Sequence, residues 1–150
     1  MSKKVLIANR GEISLRAIRA CKELGLKTVC IYSEGDKELK SLRFSDESVC
    51  VGPADPTKSY LDAPTILSAA DVTGSDAIYP GYGFLAEDHS FAEQCNLSGF
   101  KFIGPSSETI RQMGDKITAK SIVTKYGIDG VPGFDNEPVS YTHLTLPTKA

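Results

Sequence analysis

The chain has 150 residues, 41% of them hydrophobic and 24% charged, with a net charge of −2. That length suits one ordinary domain with a real core, and the even charge balance offers neither the basic surplus that nucleic acid demands nor an acidic block. No stretch approaches a membrane span, and the apolar run behind the basic Met1-Ser2-Lys3-Lys4 start is too short for a signal-peptide core, so a soluble, cytoplasmic protein is expected.

Residues 3–8, Lys-Lys-Val-Leu-Ile-Ala, form a charged lead-in to a continuous apolar run, the form of a strand covered on both faces. Asn9-Arg10-Gly11-Glu12 reads as the turn out of it, and a helix is predicted to about residue 24. Ile13, Ala17, Ala20, Cys21 and Leu24 are expected to face inward. Glu12–Arg16 and Arg19–Glu23 are i,i+4 pairs on the other side, and Gly25 ends the helix. Residues 27–32, rich in β-branched side chains, make a second strand. Strand, helix, glycine, strand is a βαβ unit, which leads to a parallel sheet. The first turn offers only Gly11 rather than G-x-G-x-x-G, and no Walker A pattern occurs. A Rossmann-like sheet without either phosphate loop is therefore predicted.

A polar connection with a helical piece near residues 38–42 leads to a third strand at 47–51. Gly52-Pro53-Ala54-Asp55-Pro56 breaks structure. A helix is expected over 60–70, with Leu61, Ile66, Leu67 and Ala70 inward. Ala77-Ile78-Tyr79 reads as the end of a buried strand, Pro80-Gly81-Tyr82-Gly83 as a tight turn, and 85–97 as the next helix. That turn sits at the carboxyl edge of a strand, where open α/β sheets place ligands. Its aromatics and glycines fit either a structural corner or a site. Residues 100–103 make a last strand, giving four or five in all. Two short helices follow, one capped by Ser106 or Ser107 and the next, from Lys116, by Asp115. From Val131 to Ala150 no periodicity remains. Cys21, Cys30, Cys50 and Cys95 lack C-x-x-C spacing and read as buried free thiols, and His89 and His143 are too few for a zinc site.

Taken together, four segments resemble the amino-terminal domain of biotin carboxylase: Ile7-Ala8-Asn9-Arg10-Gly11-Glu12-Ile13, Tyr79-Pro80-Gly81-Tyr82-Gly83-Phe84-Leu85, Phe102-Ile103-Gly104-Pro105 and Met113-Gly114-Asp115-Lys116. The resemblance covers about residues 3–135 and implies a pre-ATP-grasp sheet domain at 1–104, then a helical linker and the start of an ATP-grasp region at 105–137. It departs from the family at Tyr79, where histidine is usual, and over 138–150, expected to be a non-native tail of a truncated or chimeric reading frame.

The family's reaction, as the resemblance implies it, activates bicarbonate with ATP and Mg²⁺ and carboxylates biotin on its carrier protein, in acetyl-CoA, propionyl-CoA or pyruvate carboxylase. The partners implied are the biotin carboxyl carrier protein and the carboxyltransferase, with a homodimer when full length. Lys116 then contacts the ATP phosphates, against the plainer reading of a solvated lysine. Tyr82 and Gly83 face biotin, and Arg16, Arg19 and Glu23 lie at the dimer interface, against a solvated helix face. Asn9 and Gly11 shape the turn. The metal-binding glutamates, bicarbonate-binding arginine and general base have no counterpart here, so the chain alone is expected to be catalytically incomplete. A non-catalytic assembly module is the alternative, and a Rossmann-like oxidoreductase is disfavoured by the absent fingerprint.

Overall fold

The computed structural model describes residues 3–128. Five strands, β1 (Lys4–Ile7), β2 (Lys27–Tyr32), β3 (Glu47–Cys50), β4 (Ala77–Tyr79) and β5 (Lys101–Phe102), form one parallel sheet in the order β3-β2-β1-β4-β5. Between them run the helices α1 (Gly11–Glu23), α2 (Ala63–Val72) and α3 (His89–Leu97). The chain moves outward from β1 through β2 to β3, then returns to lay β4 against the other side of β1. The strand order therefore reverses between β1 and β4.

Both faces of the sheet are covered, and the central strand divides its side chains by twos. Val5 and Ile7 pack with Ala17, Ile18 and Cys21 of α1, while Leu6 and Ala8 belong to the larger core with Ile66, Ala70, Phe91 and Cys95 of α2 and α3. The predicted inward face of α1 is turned by part of a helical step. Ser14, Ala17, Ile18 and Cys21 are the buried residues, whereas Ala20 is exposed and Leu24 is 74% exposed. A small Ser14 lets the helix approach β2 at Cys30, and Ile18 joins the buried face while Ala20 stays outside it. Burial pushes the Cys30 thiol up, and the hydroxyls of Ser14 and Ser41 oppose that rise.

Other boundaries also move for local reasons. Pro64 sits in the first turn of α2, a position that suits proline, so the helix starts at Ala63 and leaves Leu61 exposed rather than inward. The predicted helix over 85–97 is a 3-10 turn, Phe84–Glu87, and then α3, because the Asp88 carboxylate accepts from the Ser90 and Phe91 amides at 2.8 and 3.2 Å. Cys50 is exposed on the edge strand β3, unlike the buried Cys21, Cys30 and Cys95; all four are free. Neither predicted i,i+4 pair of α1 is among the described ion pairs.

The chain divides after Ile110. Beyond that point the last turn of α4 (Ser107–Gly114) leads to α5 (Lys116–Lys125), and the expected cap Asp115 accepts from the Thr118 amide at 2.6 Å. Ser106 is the cap of α4, accepting from the Thr109 amide at 3.1 Å. The expectations for 131–150, including the foreign tail at 138–150, lie outside the described residues.

The amino edge of the sheet is stitched by charge. Lys4 Nζ reaches Glu47 and the Thr73 carbonyl at 2.7 and 2.6 Å, and its amide donates to Asp76. Asp46 takes Lys27 Nζ at 3.0 Å and the Thr28 amide and hydroxyl at 2.9 Å each. Lys27 first, and the Thr28 amide next, hold the Asp46 carboxyl down at about 2. Because this folded-state value lies below the ordinary one, Asp46 adds stability above the unfolded-state range, and that contribution is lost as pH falls toward 2. Asp46→Asn is therefore expected to flatten the acid limb of stability between about pH 4 and 2. Chemical denaturation across pH checks this, and an unchanged slope would refute it.

Candidate functional site

The carboxyl ends of β1 and β4, where the strand order reverses, are held together by Asn9. This side chain is fully buried at the end of β1. Its Nδ2 donates to the carbonyls of Pro80 and Tyr82 at 2.7 and 2.9 Å, and its Oδ1 accepts from the Arg10 amide at 2.8 Å. One amide thus fixes the turn after β4 to the turn after β1. Gly81 lies against it with φ +70°, and a Cβ there would stand 2.7 Å from Ile13 and 3.0 Å from Asn9 Nδ2. Glycine is required at 81 by both backbone and space.

Above this junction opens a cleft of about 350 Å³, walled by Asn9-Arg10-Gly11-Glu12-Ile13 on one side and Tyr82-Gly83-Phe84 on the other. Tyr82 is 64% exposed, and its hydroxyl donates to Glu12 Oε1 at 2.8 Å across the mouth. The Glu12 carboxylate pushes the Tyr82 phenol up. Open α/β sheets bind ligands at such a switch point, and small-molecule sites span roughly 300–1,000 Å³. The aromatic-glycine turn is therefore a wall of a cleft as well as a corner.

Behind the turn stands a network that sequence separation conceals. Arg10 grips Asp36 with two parallel bonds, Nε to Oδ2 at 2.7 Å and Nη2 to Oδ1 at 2.6 Å. Tyr60 Oη donates to the same carboxylate at 2.6 Å and accepts from the Ser33 amide at 2.9 Å. Arg10 holds the Asp36 carboxyl below its usual range, and Asp36 in turn holds the guanidinium proton more tightly. Burial pushes the Tyr60 phenol up, and Asp36 adds to that. The Tyr60 ring stacks on Phe84 at 5.3 Å. Phe84 has φ +46°, the one non-glycine residue in the left-handed region among those described. An aromatic residue there costs about 1–3 kcal/mol, which its surroundings must offset.

Arg16, Arg19 and Glu23 all project from the exposed side of α1, on one helix face by their spacing. Lys116 is the exposed first residue of α5. A helix N-terminus favours anions, but this one is capped by the Asp115 carboxylate, so the ammonium itself is what Lys116 offers. It lies beyond Ile110, in the second unit. Among the described residues no group of three or more His, Cys, Asp or Glu gathers to hold a metal ion.

A sequence profile of the family described as biotin carboxylase, N-terminal domain, matches residues 1–110. The chain belongs to that family. It is 60% identical over 135 residues to a biotin carboxylase of Pseudomonas aeruginosa and 57% identical over 140 residues to one of Haemophilus influenzae, covering 90% and 93% of this chain. Among solved structures, a Campylobacter jejuni biotin carboxylase bound to a β,γ-ATP ligand superposes with a TM-score of 0.85 at 48% identity, covering 90% of this chain and 30% of that one. The biotin carboxylase domain dimer of the Hydrogenobacter thermophilus 2-oxoglutarate carboxylase, solved with MgADP and bicarbonate, matches equally well, at 0.85 and 47% over 90% of this chain and 30% of that one. The chain spans about 30% of the length of the curated biotin carboxylases named here. The resemblance drawn from the four motifs is thus the family of the whole sheet unit.

Gly81→Ala is expected to cost roughly 2–4 kcal/mol, from left-handed strain plus the collision with Ile13 and Asn9. A shift of the urea midpoint at unchanged m-value measures it. A loss under about 1 kcal/mol would show that the turn adapts without the Asn9 junction.

Proposed function

We propose that this chain is the sheet portion of an ATP-dependent biotin carboxylase, a ligase that activates bicarbonate with ATP and Mg²⁺ and carboxylates biotin on its carrier protein. The observation that carries this reading is the cleft at the β1–β4 switch point, walled by Tyr82 and Gly83, on a chain whose first 110 residues match the family. Biotin carboxyl carrier protein and a carboxyltransferase are its partners, and the cytoplasm, with fatty acid biosynthesis as one destination, is its setting.

In this reading the Tyr82 face packs on the bicyclic ring of biotin, and Gly83, lacking a side chain, lets the backbone approach the ureido group. The hydroxyl tether to Glu12 limits the rotation of that ring, so less freedom is lost on binding. Lys116 supplies a compact positive charge to the ATP phosphates. When bound, Mg²⁺ supplies charge neutralisation at the phosphates; the described residues gather no ligand set for it, and no step through the metal is assigned to them. The domain organisation that goes with this reading is a pre-ATP-grasp unit over 1–104, a linker into an ATP-grasp region over 105–137, and a foreign tail over 138–150. The chain alone then lacks turnover.

A hybrid tests the assignment. Residues 1–110 of this chain, exchanged into the Pseudomonas aeruginosa enzyme, are expected to sustain bicarbonate- and biotin-dependent ATP hydrolysis. Tyr82→Ala in the hybrid should raise the KM for biotin about tenfold, the equivalent of ~1.4 kcal/mol of ring contact. A folded hybrid without turnover would refute the proposal.

The second reading, a non-catalytic dimerisation module, is supported by the exposed Arg16, Arg19 and Glu23 on one face of α1. Sedimentation velocity tests the assembly surface, which both readings place on this face, and turnover of the hybrid separates them: the parent chain should run as a dimer and Arg19→Glu as a monomer. A parent chain that stays monomeric at about 100 micromolar, weaker than any stable interface, sinks it.

A further inference from the structure

We propose that Arg10, Asp36 and Tyr60 act as positioning residues for the candidate ring-binding turn: they hold Phe84 in its left-handed backbone, and so fix Tyr82 and Gly83 along the cleft before any ligand arrives. The proposal deepens the biotin reading of that cleft and rests on it for the identity of the ligand.

Three observations converge. Phe84 carries φ +46° directly after Gly83, whose φ is +67°, so the chain makes two consecutive residues of positive φ where it leaves the cleft wall. A conformation so unfavourable for an aromatic residue persists only where its neighbours over-determine it, and such residues gather at sites that need a preset shape. The neighbour here is the Tyr60 ring, stacked on Phe84 with an interplanar angle of 23°.

Tyr60 is itself locked. It is 2% exposed, its hydroxyl bridges the Asp36 carboxylate and the Ser33 amide, and Asp36 is fixed by the paired bonds from Arg10. Finally, Arg10 and Phe84 each line two separate hollows, the cleft and a neighbouring one of about 280 Å³ that also contains Asp36 and Tyr60. They form the partition between the candidate site and the network behind it. The contacts close into a ring, because the Arg10 amide also bonds the Asn9 side chain that grips Pro80 and Tyr82. A planar guanidinium–carboxylate fork suits this task better than a single bond, since it fixes orientation as well as distance.

A ligand packing on Tyr82 would find its ring already placed. Loosening Asp36 or Tyr60 should release Phe84 toward ordinary backbone angles and swing the wall away, with the core otherwise kept. The roles are positioning ones, because none of the three side chains needs to touch the ligand.

The test uses the 150-residue chain with ring-¹³C-labelled tyrosine, the Tyr82 resonance being assigned by its loss in Tyr82→Phe. Asp36→Asn and Tyr60→Phe are each expected to move the Tyr82 ring resonance toward that of a free tyrosine. Asp46→Asn, which breaks an ion pair at the opposite edge of the sheet, should leave it in place even where stability drops equally. Titration with free biotin, followed at the same resonance, should show about tenfold weaker binding in Asp36→Asn than in the parent. If Asp36→Asn does not fold, Tyr60→Phe decides, since it removes only the hydroxyl and keeps the stack. A Tyr82 resonance that stays at the parental position in the folded variants overturns the buttress. A parent chain that ignores biotin while its Tyr82 resonance still follows Asp36 and Tyr60 overturns the ligand assignment and keeps the buttress.

Discussion

A carboxamide removed from water must find partners for two N–H bonds and a carbonyl oxygen, or the burial costs more than a helix cap returns. Asn9 meets that demand by reaching across the gap between the two central strands, with Pro80 and Tyr82 as acceptors and the Arg10 amide as donor. The bonds span 71 and 73 residues of chain, so they join parts that no local propensity brings together. Aspartate at this position would aim a carboxylate at two carbonyl oxygens, and glutamine would overshoot by a methylene. The cleft, the left-handed glycine at 81 and the placement of Tyr82 all hang from this junction.

Around it the molecule is organised as an apolar sheet between two polar rims. At the amino edge, lysines and carboxylates tie strand to strand: the Lys4 ammonium reaches past β2 to Glu47 of β3 while its amide bonds Asp76, and Lys27 pairs with Asp46. At the carboxyl edge, the same kinds of group are turned to a different use. Arg10 and Asp36 lie between the turns that follow β1 and β2, and their charge is handed through a buried phenol to an aromatic stack. Exposed ion pairs are worth little by themselves. Their value here is orientation, which a fork of two parallel bonds supplies and a lone lysine would not.

The strands were legible because each is a short apolar or β-branched run bounded by turn residues, and the βαβ rhythm implies a parallel sheet. Periodicity failed where the decisive fact was contact rather than pattern. Ser14 is buried because it is small enough to let α1 settle on Cys30, which hydropathy ranks the wrong way. Pro64 and Asp88 were visible signals for the true starts of α2 and α3, outweighed by apolar residues upstream. The Tyr82-Gly83 turn could be singled out from its glycines and aromatics, and Asn9 from its place after β1. The link from Arg10 to Asp36, Tyr60 and Phe84 could not, because residues 26 and 24 apart meet only once the sheet has formed.

The central place of β1 also governs how this molecule can come into being. Of the five strands described, the first to be made is the middle of the sheet. It can pair with β2 soon afterwards, but its other edge stays open until β4 emerges. In that interval Val5, Leu6 and Ile7 present an unpaired apolar border, the kind of edge that invites foreign strands. Closing it requires a long loop to be ordered before any pairing repays the cost, which places the union of β1 and β4 among the slow steps of folding. The Asn9 junction forms at that same closure. The cleft is therefore complete only when the sheet is, and a chain still vulnerable to mispairing is one that has no site to offer.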